Sequence, residues 1–163
     1  MFARSYRRLF AALLILVGAA SVGAQTIGQN ELPIHDAARM GTRADVEKIL
    51  KADPSMRDAR TLLGSTPLHY AALNADSGPL KALLAAGAKV GAVDNEGQTP
   101  LHMAAFATRL DNVRALLEAG ADPYAKTKAG RDVLSTARRV RADEIAGIIS
   151  IWILKGCKAG KPC

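Results

Sequence analysis

Thr66-Pro67-Leu68-His69 returns as Thr99-Pro100-Leu101-His102, displaced by 33 residues. The correspondence continues in register around the tetrapeptide: Gly64 with Gly97, Ala71-Ala72 with Ala104-Ala105, Leu83-Leu84 with Leu116-Leu117, and Gly87-Ala88 with Gly120-Ala121. A pattern that recurs at this period describes a stack of similar units, not a globule built around one core.

Each unit can be read from its residues. Thr66 and Thr99 are side chains that cap a helix N-terminus, and Pro67 and Pro100 suit the first helical position, where no N–H partner is needed. Each Thr-Pro therefore predicts a helix start. Asp76-Ser77-Gly78-Pro79 interrupts the run, after which Leu80, Leu83 and Leu84 resume at helical spacing. Two short antiparallel helices are expected. Gly87 and Gly120 stand where the second helix must end, because glycine tolerates a left-handed C-cap. The alanine pairs let helices approach closely, but one helix pair cannot bury its apolar faces without neighbours.

This pattern resembles the ankyrin repeat. The resemblance implies an all-α solenoid of about four helix-turn-helix repeats joined by β-hairpin loops. With the register known, worn copies emerge at both ends. Leu32-Pro33-Ile34-His35 stands for the tetrapeptide in a first copy, and Asp132-Val133-Leu134-Ser135 replaces it in a last one that caps the array. The expected repeats are about 32–63, 64–96, 97–129 and 130–154, after a linker at 25–31 and before a tail at 155–163. Between Pro54 and Thr66 the chain is three residues longer than the corresponding stretches at Val90 and Pro123, which places an insertion in the first hairpin, around Arg57 to Leu63.

The resemblance also implies a protein-binding surface in place of an active site, and no cofactor. It makes His35, His69 and His102 structural, each ring bridging threonine and hairpin backbone, so Thr66, Pro67, His69, Thr99, Pro100 and His102 are scaffold. No Ser/His/Asp set, phosphate loop or metal-ligand spacing stands out, and Asp94-Asn95-Glu96-Gly97 lacks the further ligands of a calcium loop. Contact positions are placed by the resemblance at the hairpin tips and four and five residues after each histidine. They are Arg39, Met40, Leu73, Asn74, Phe106, Ala107 and Arg139 on the inner helices, with Arg60, Leu62, Leu63, Asn95, Glu96 and Lys128 at the tips. Met40, Leu73 and Phe106 either form an apolar contact stripe or pack between helices.

The first 24 residues carry a different signal. Arg4, Arg7 and Arg8 precede 12 apolar residues, Leu9 to Ala20, and Val22-Gly23-Ala24 is a small-residue cleavage site. A secretory signal peptide cleaved after Ala24 is expected, by the general route or by a twin-arginine route to which Arg7-Arg8-Leu9-Phe10 is an incomplete match. The apolar run is shorter than the ~20 residues that span a bilayer. The mature chain is expected in a bacterial periplasm as a monomer that binds another protein, without stable membrane insertion.

Charge is unevenly placed. Residues 25–123 carry a net −2, whereas 124–163 carry +6. Lys126, Lys128, Arg131, Arg138, Arg139 and Arg141 suit an acidic protein, an anionic membrane surface or simple solvation. Nucleic acid is disfavoured by the leader and by the absence of aromatics among these cations.

Both cysteines, Cys157 and Cys163, lie in the last seven residues, where an oxidising compartment favours a disulfide. A loop this small contributes about 2 kcal/mol before strain, enough to pin a tail but not to hold up a fold. Its expected role is to fold the tail over the apolar run from Ile148 to Leu154. Reduction should then raise the fluorescence of a dye that binds exposed apolar surface; unchanged dye binding would count against a covering tail.

Overall fold

A computed structural model describes residues 31–157. The leader, most of the linker and Cys163, with the expected disulfide, lie outside the described residues. Cys157 marks the end of the described chain, its N–H donating to Trp152 O as the backbone turns back from the last helix.

Among the described residues eight α-helices follow one another as four pairs: α1 (Pro33–Met40) with α2 (Arg43–Ala52), α3 (Pro67–Leu73) with α4 (Gly78–Ala85), α5 (Pro100–Phe106) with α6 (Leu110–Glu118), and α7 (Val133–Arg139) with α8 (Asp143–Leu154). The first helices of the pairs form one row, α1 packing on α3, α3 on α5 and α5 on α7. Thr99 begins α5 as predicted, its hydroxyl accepting the His102 N–H at 3.4 Å, and the worn Asp132 does the same for α7 with its carboxylate, at 2.7 Å from Ser135 N.

The alanine pairs explain how closely these helices stack. Ala38, Ala71, Ala72, Ala104, Ala105 and Ala137 are wholly buried, with Ile34, Leu68, Leu80, Leu83, Leu101, Leu116 and Ile149 filling the space between them and the second helices. Burial of such side chains is worth roughly 1.5–3 kcal/mol each before entropy is counted. The core is therefore a continuous ribbon through the stack.

The loops depart from the β-hairpins expected. Among the described residues there is no strand, and a single isolated bridge joins Lys126 to Asp132. Each tip is closed locally, for example by Asp94 N–H to Gln98 O at 3.0 Å and Gly97 N–H to Asp94 O at 3.0 Å, and the chain enters the next helix before a ladder can form. The tips hydrogen-bond instead to their neighbours, Asn95 N–H to Leu63 O and Lys128 N–H to Glu96 O. Gly97 adopts φ +73, and a Cβ there would lie 2.9 Å from Lys128 N, so both the turn and the approach of the next tip require glycine.

The insertion also differs from the one expected. Thr61 N–H to Ser65 O repeats the closure of the later tips, so the first tip has ordinary length. The chain from Asp53 to Thr61 is as long as that from Ala86 to Asp94, so the surplus is a single residue at the end of α2, after which a 3₁₀ turn, Pro54–Asp58, begins. A proline after Asp53, whose carboxylate accepts the Ser55 N–H at 2.9 Å, favours that turn.

Polar side chains bind one pair to the next at the inner helix ends. Asn112, on α6 and 2% exposed, donates through Nδ2 to Ala71 O, Ala72 O and Asn74 O, while Arg109 Nε donates to Leu73 O. These carbonyls lie at the end of α3, where the helix supplies few donors of its own; Ala71 O also takes the N–H of the cap residue Asn74. Asn112→Ala should lower the free energy of urea unfolding by about 2 kcal/mol. A loss below about 0.5 kcal/mol, the size of a neutral surface change, would show that this amide does not join the repeats.

Candidate protein-binding face

His69 shows how the face is aligned. Its Nδ1 accepts the Thr66 N–H at 3.1 Å, and since a backbone N–H can only donate, the ring proton is on Nε2. Nε2 donates to Gln98 O, 3.0 Å away in the following loop. His102 repeats the arrangement with Thr99 and Arg131 O, at 3.3 and 3.2 Å. His35 differs in its target, Ala59 O at 3.2 Å, which lies just after the 3₁₀ turn. All three rings are fully buried.

Inner helices and tips together line two adjoining hollows. The first, about 210 Å³, lies between Leu63, Asn95 and Glu96 at the tips and Tyr70, Leu73 and Met103 on α3 and α5. The second, about 150 Å³, is lined by Phe106, Arg131, Arg139 and Val140. Gln98 borders both. Apolar surface is uncovered along this side: Phe106 is 57% exposed, Leu62 55%, Leu63 68% and Met40 72%. Leu73 is half-buried, and Met40 joins neither hollow.

Several expected contact residues are held by their own chain. Arg39 pairs with Asp36 at 2.8 Å and with Glu31 at 3.9 Å, its guanidinium 5.8 Å from the centre of the Tyr70 ring. Arg60 Nη1 donates to Gly64 O and Val93 O at 2.7 and 2.8 Å, bolting two tips together. Asn74 Nδ2 donates to Ala38 O and Gly41 O, both at 3.1 Å, and Asn95 Nδ2 to Leu62 O at 2.9 Å. The N–H of Ala107 closes α5 on Met103 O at 2.9 Å. Glu96, Lys128 and Arg139 stay exposed at the surface.

Tyr70 and Met103 are the groove residues that sequence reasoning missed. Each follows its histidine by one position, three residues before Leu73 and Phe106, and a three-residue step keeps the same helix face. That spacing was the available signal. The Tyr70 hydroxyl donates to Glu31 Oε1 at 2.7 Å, and burial together with that carboxylate pushes its pKa up to about 12.

A family model described as ankyrin repeats (3 copies) matches residues 29–127. The chain belongs to the ankyrin-repeat family. Ankyrin repeats mediate protein–protein interaction, and the fourth helix pair of this one lies beyond the matched copies. Among the described residues no group of three or more His, Cys, Asp or Glu is placed to hold a metal, and no helix is long and apolar enough to cross a membrane.

The buried histidines tie stability to pH. Burial lowers the pKa of His35, His69 and His102, and the carbonyls to which they donate only partly offset it. The unfolded chain therefore takes up these protons first, so the stabilisation is complete above about pH 6.5 and is lost as the pH falls below it. Capping carboxylates such as Asp132, held low chiefly by the Ser135 N–H, lose theirs only in a more acid range, below about pH 4. The urea midpoint should fall between about pH 7.5 and pH 5, and the fall should be smaller in His69→Gln. An equal fall in that variant would exclude His69 as a source.

Proposed function

We propose that the mature protein is a non-enzymatic interaction module of the bacterial periplasm, binding a folded partner through the groove face and loop tips. The observation that carries this reading is the exposure of Leu63 and Phe106 in two adjoining hollows, the first of them also lined by Tyr70, Leu73 and Met103. Apolar side chains gathered in this way, with Glu96, Lys128 and Arg139 around them, match the apolar centre and polar rim of protein interfaces. The partner is either an enzyme that the protein assists or a toxin that it neutralises as an immunity protein would. The leader with its cleavage after Ala24 and the Cys157–Cys163 bridge both belong to this exported role, and the bound form is one monomer on one partner.

A second reading has its own observation. The exposed Arg138, Arg139 and Arg141 of the last repeat, with Lys126 and Lys128 in the loop before it, crowd one end of the stack, a distribution that suits attachment to anionic lipid. Salt-sensitive co-sedimentation of the mature chain with phosphatidylglycerol liposomes would favour it.

The deciding experiment captures the partner from periplasmic extract, identifies it, and measures its affinity for purified wild type and for Leu73→Ser and Phe106→Ser. Each substitution should weaken binding by at least about tenfold, the loss of a hot-spot side chain, with the thermal midpoint changed by only a few degrees. Melting of the variants without selective loss of binding would assign both side chains to packing.

A further inference from the structure

The basic charge of this protein is unusually free of partners where it meets the groove. The ion pairs of the described residues join Arg39 to Glu31 and Asp36, Arg43 to Glu47, and Arg57 to Asp58, all of them before the second repeat. At the other end Asp132 is engaged in capping α7, and Asp143 and Glu144 stand in the first turn of α8. The guanidiniums of Arg131 and Arg139 reach none of these carboxylates within ion-pair distance. Both nevertheless line the same hollow, with Phe106 forming an apolar wall.

Backbone contacts hold this arrangement in place. Arg131 O accepts both the His102 Nε2 proton and the Thr127 N–H, and Arg131 N–H donates to Thr127 Oγ1 at 3.3 Å. Arg139 is carried on the last turn of α7, which packs on α5. Two arginines are thus carried to one hollow by a hydrogen-bonded loop and a packed helix, and a guanidinium holds a carboxylate by charge-assisted hydrogen bonds.

Gln98 connects this hollow to the apolar one between Tyr70, Leu73 and Met103. Neighbouring stacked helices lie about 8–10 Å apart, so the two hollows are separated by one repeat step. An extended chain covers that distance in about three residues. We propose that the groove takes an extended acidic segment of a partner protein, with an apolar side chain seated against Leu73 and Met103 and an Asp or Glu carboxylate, about three residues away, held between Arg131 and Arg139. This rests on the groove-face reading above and adds the chemistry of what enters it.

The test uses the labelled mature chain on an array of random peptides of about nine residues, long enough at ~3.3 Å per residue to cover both hollows. R131Q and R139Q, checked for folding by circular dichroism, are run beside it. The retained peptides should carry Asp or Glu about three residues from Leu, Ile or Phe. Each substitution should weaken them roughly tenfold, the worth of a hydrogen bond to a charged group, and abolish the acidic preference while keeping the apolar one. Retention of apolar peptides with no acidic preference would overturn the carboxylate site and leave the groove reading standing. Retention of no peptide at all would overturn both. Binding to phosphatidylglycerol vesicles that both substitutions abolish, without acidic preference on the array, would overturn it in favour of a membrane.

Discussion

One hydrogen bond, from a buried imidazole Nε2 to a carbonyl of the following loop, sets the geometry on which the rest of this molecule depends. The ring is trapped between two obligations: Nδ1 must accept the N–H that begins its helix, and Nε2 must then donate outward to Gln98 O or Arg131 O. Each helix start is therefore tied to the loop that precedes the next one. The residues that line the hollows inherit this order, since Tyr70 and Met103 are the immediate neighbours of the rings, and Gln98 and Arg131 supply the carbonyls that receive them.

Around that constraint the repeats differ in how they fasten to one another. Tips are joined by backbone bonds such as Asn95 N–H to Leu63 O, and by Arg60 reaching Val93 O. Inner helix ends are joined by Asn74 and Asn112, which donate to carbonyls such as Ala38 O and Ala72 O at the ends of the preceding first helices. At the first repeat the bridge is altered, His35 meeting Ala59 O beyond the 3₁₀ turn. At the last, helix α8 leaves Ile151 and Leu154 exposed, 51% and 83%. A solenoid whose units contact only their neighbours tolerates such terminal differences, because they do not propagate through the stack.

The repeat fold was legible because local signals and stacking agree. Thr-Pro starts, alanine pairs and glycine stops each specify backbone or volume on a short stretch of chain, and they recur at one period. The β-hairpins were not realised, because the tips find their hydrogen-bond partners in adjacent tips before their own arms can form a ladder. The insertion of three residues was not realised: from Leu50 to Thr66 the chain is one residue longer than from Leu84 to Thr99, and that residue extends α2 to Ala52, ahead of the turn at Asp53-Pro54. Among the residues named as contact positions, the structure brings Leu63, Leu73, Asn95 and Glu96 to one hollow, and Phe106 and Arg139 to the next. The roles of Arg60 and Asn74 were not legible, because Val93 O, Ala38 O and Gly41 O are brought near them only by stacking.

The sequence by itself determined the period, the helix boundaries, the buried rings and the uneven charge, all properties carried by residues close together in the chain. Tertiary structure alone decided which polar side chains were consumed in joining repeats and which were left exposed. Arg39 and Arg139 occupy matching positions four residues after the histidine and its serine replacement, yet one is paired with Glu31 and Asp36 and the other lines an open hollow. The physical reason is that an arginine's availability depends on the carboxylates and carbonyls within its reach, and in a stack those come from the chain 30 or more residues away as often as from the same helix.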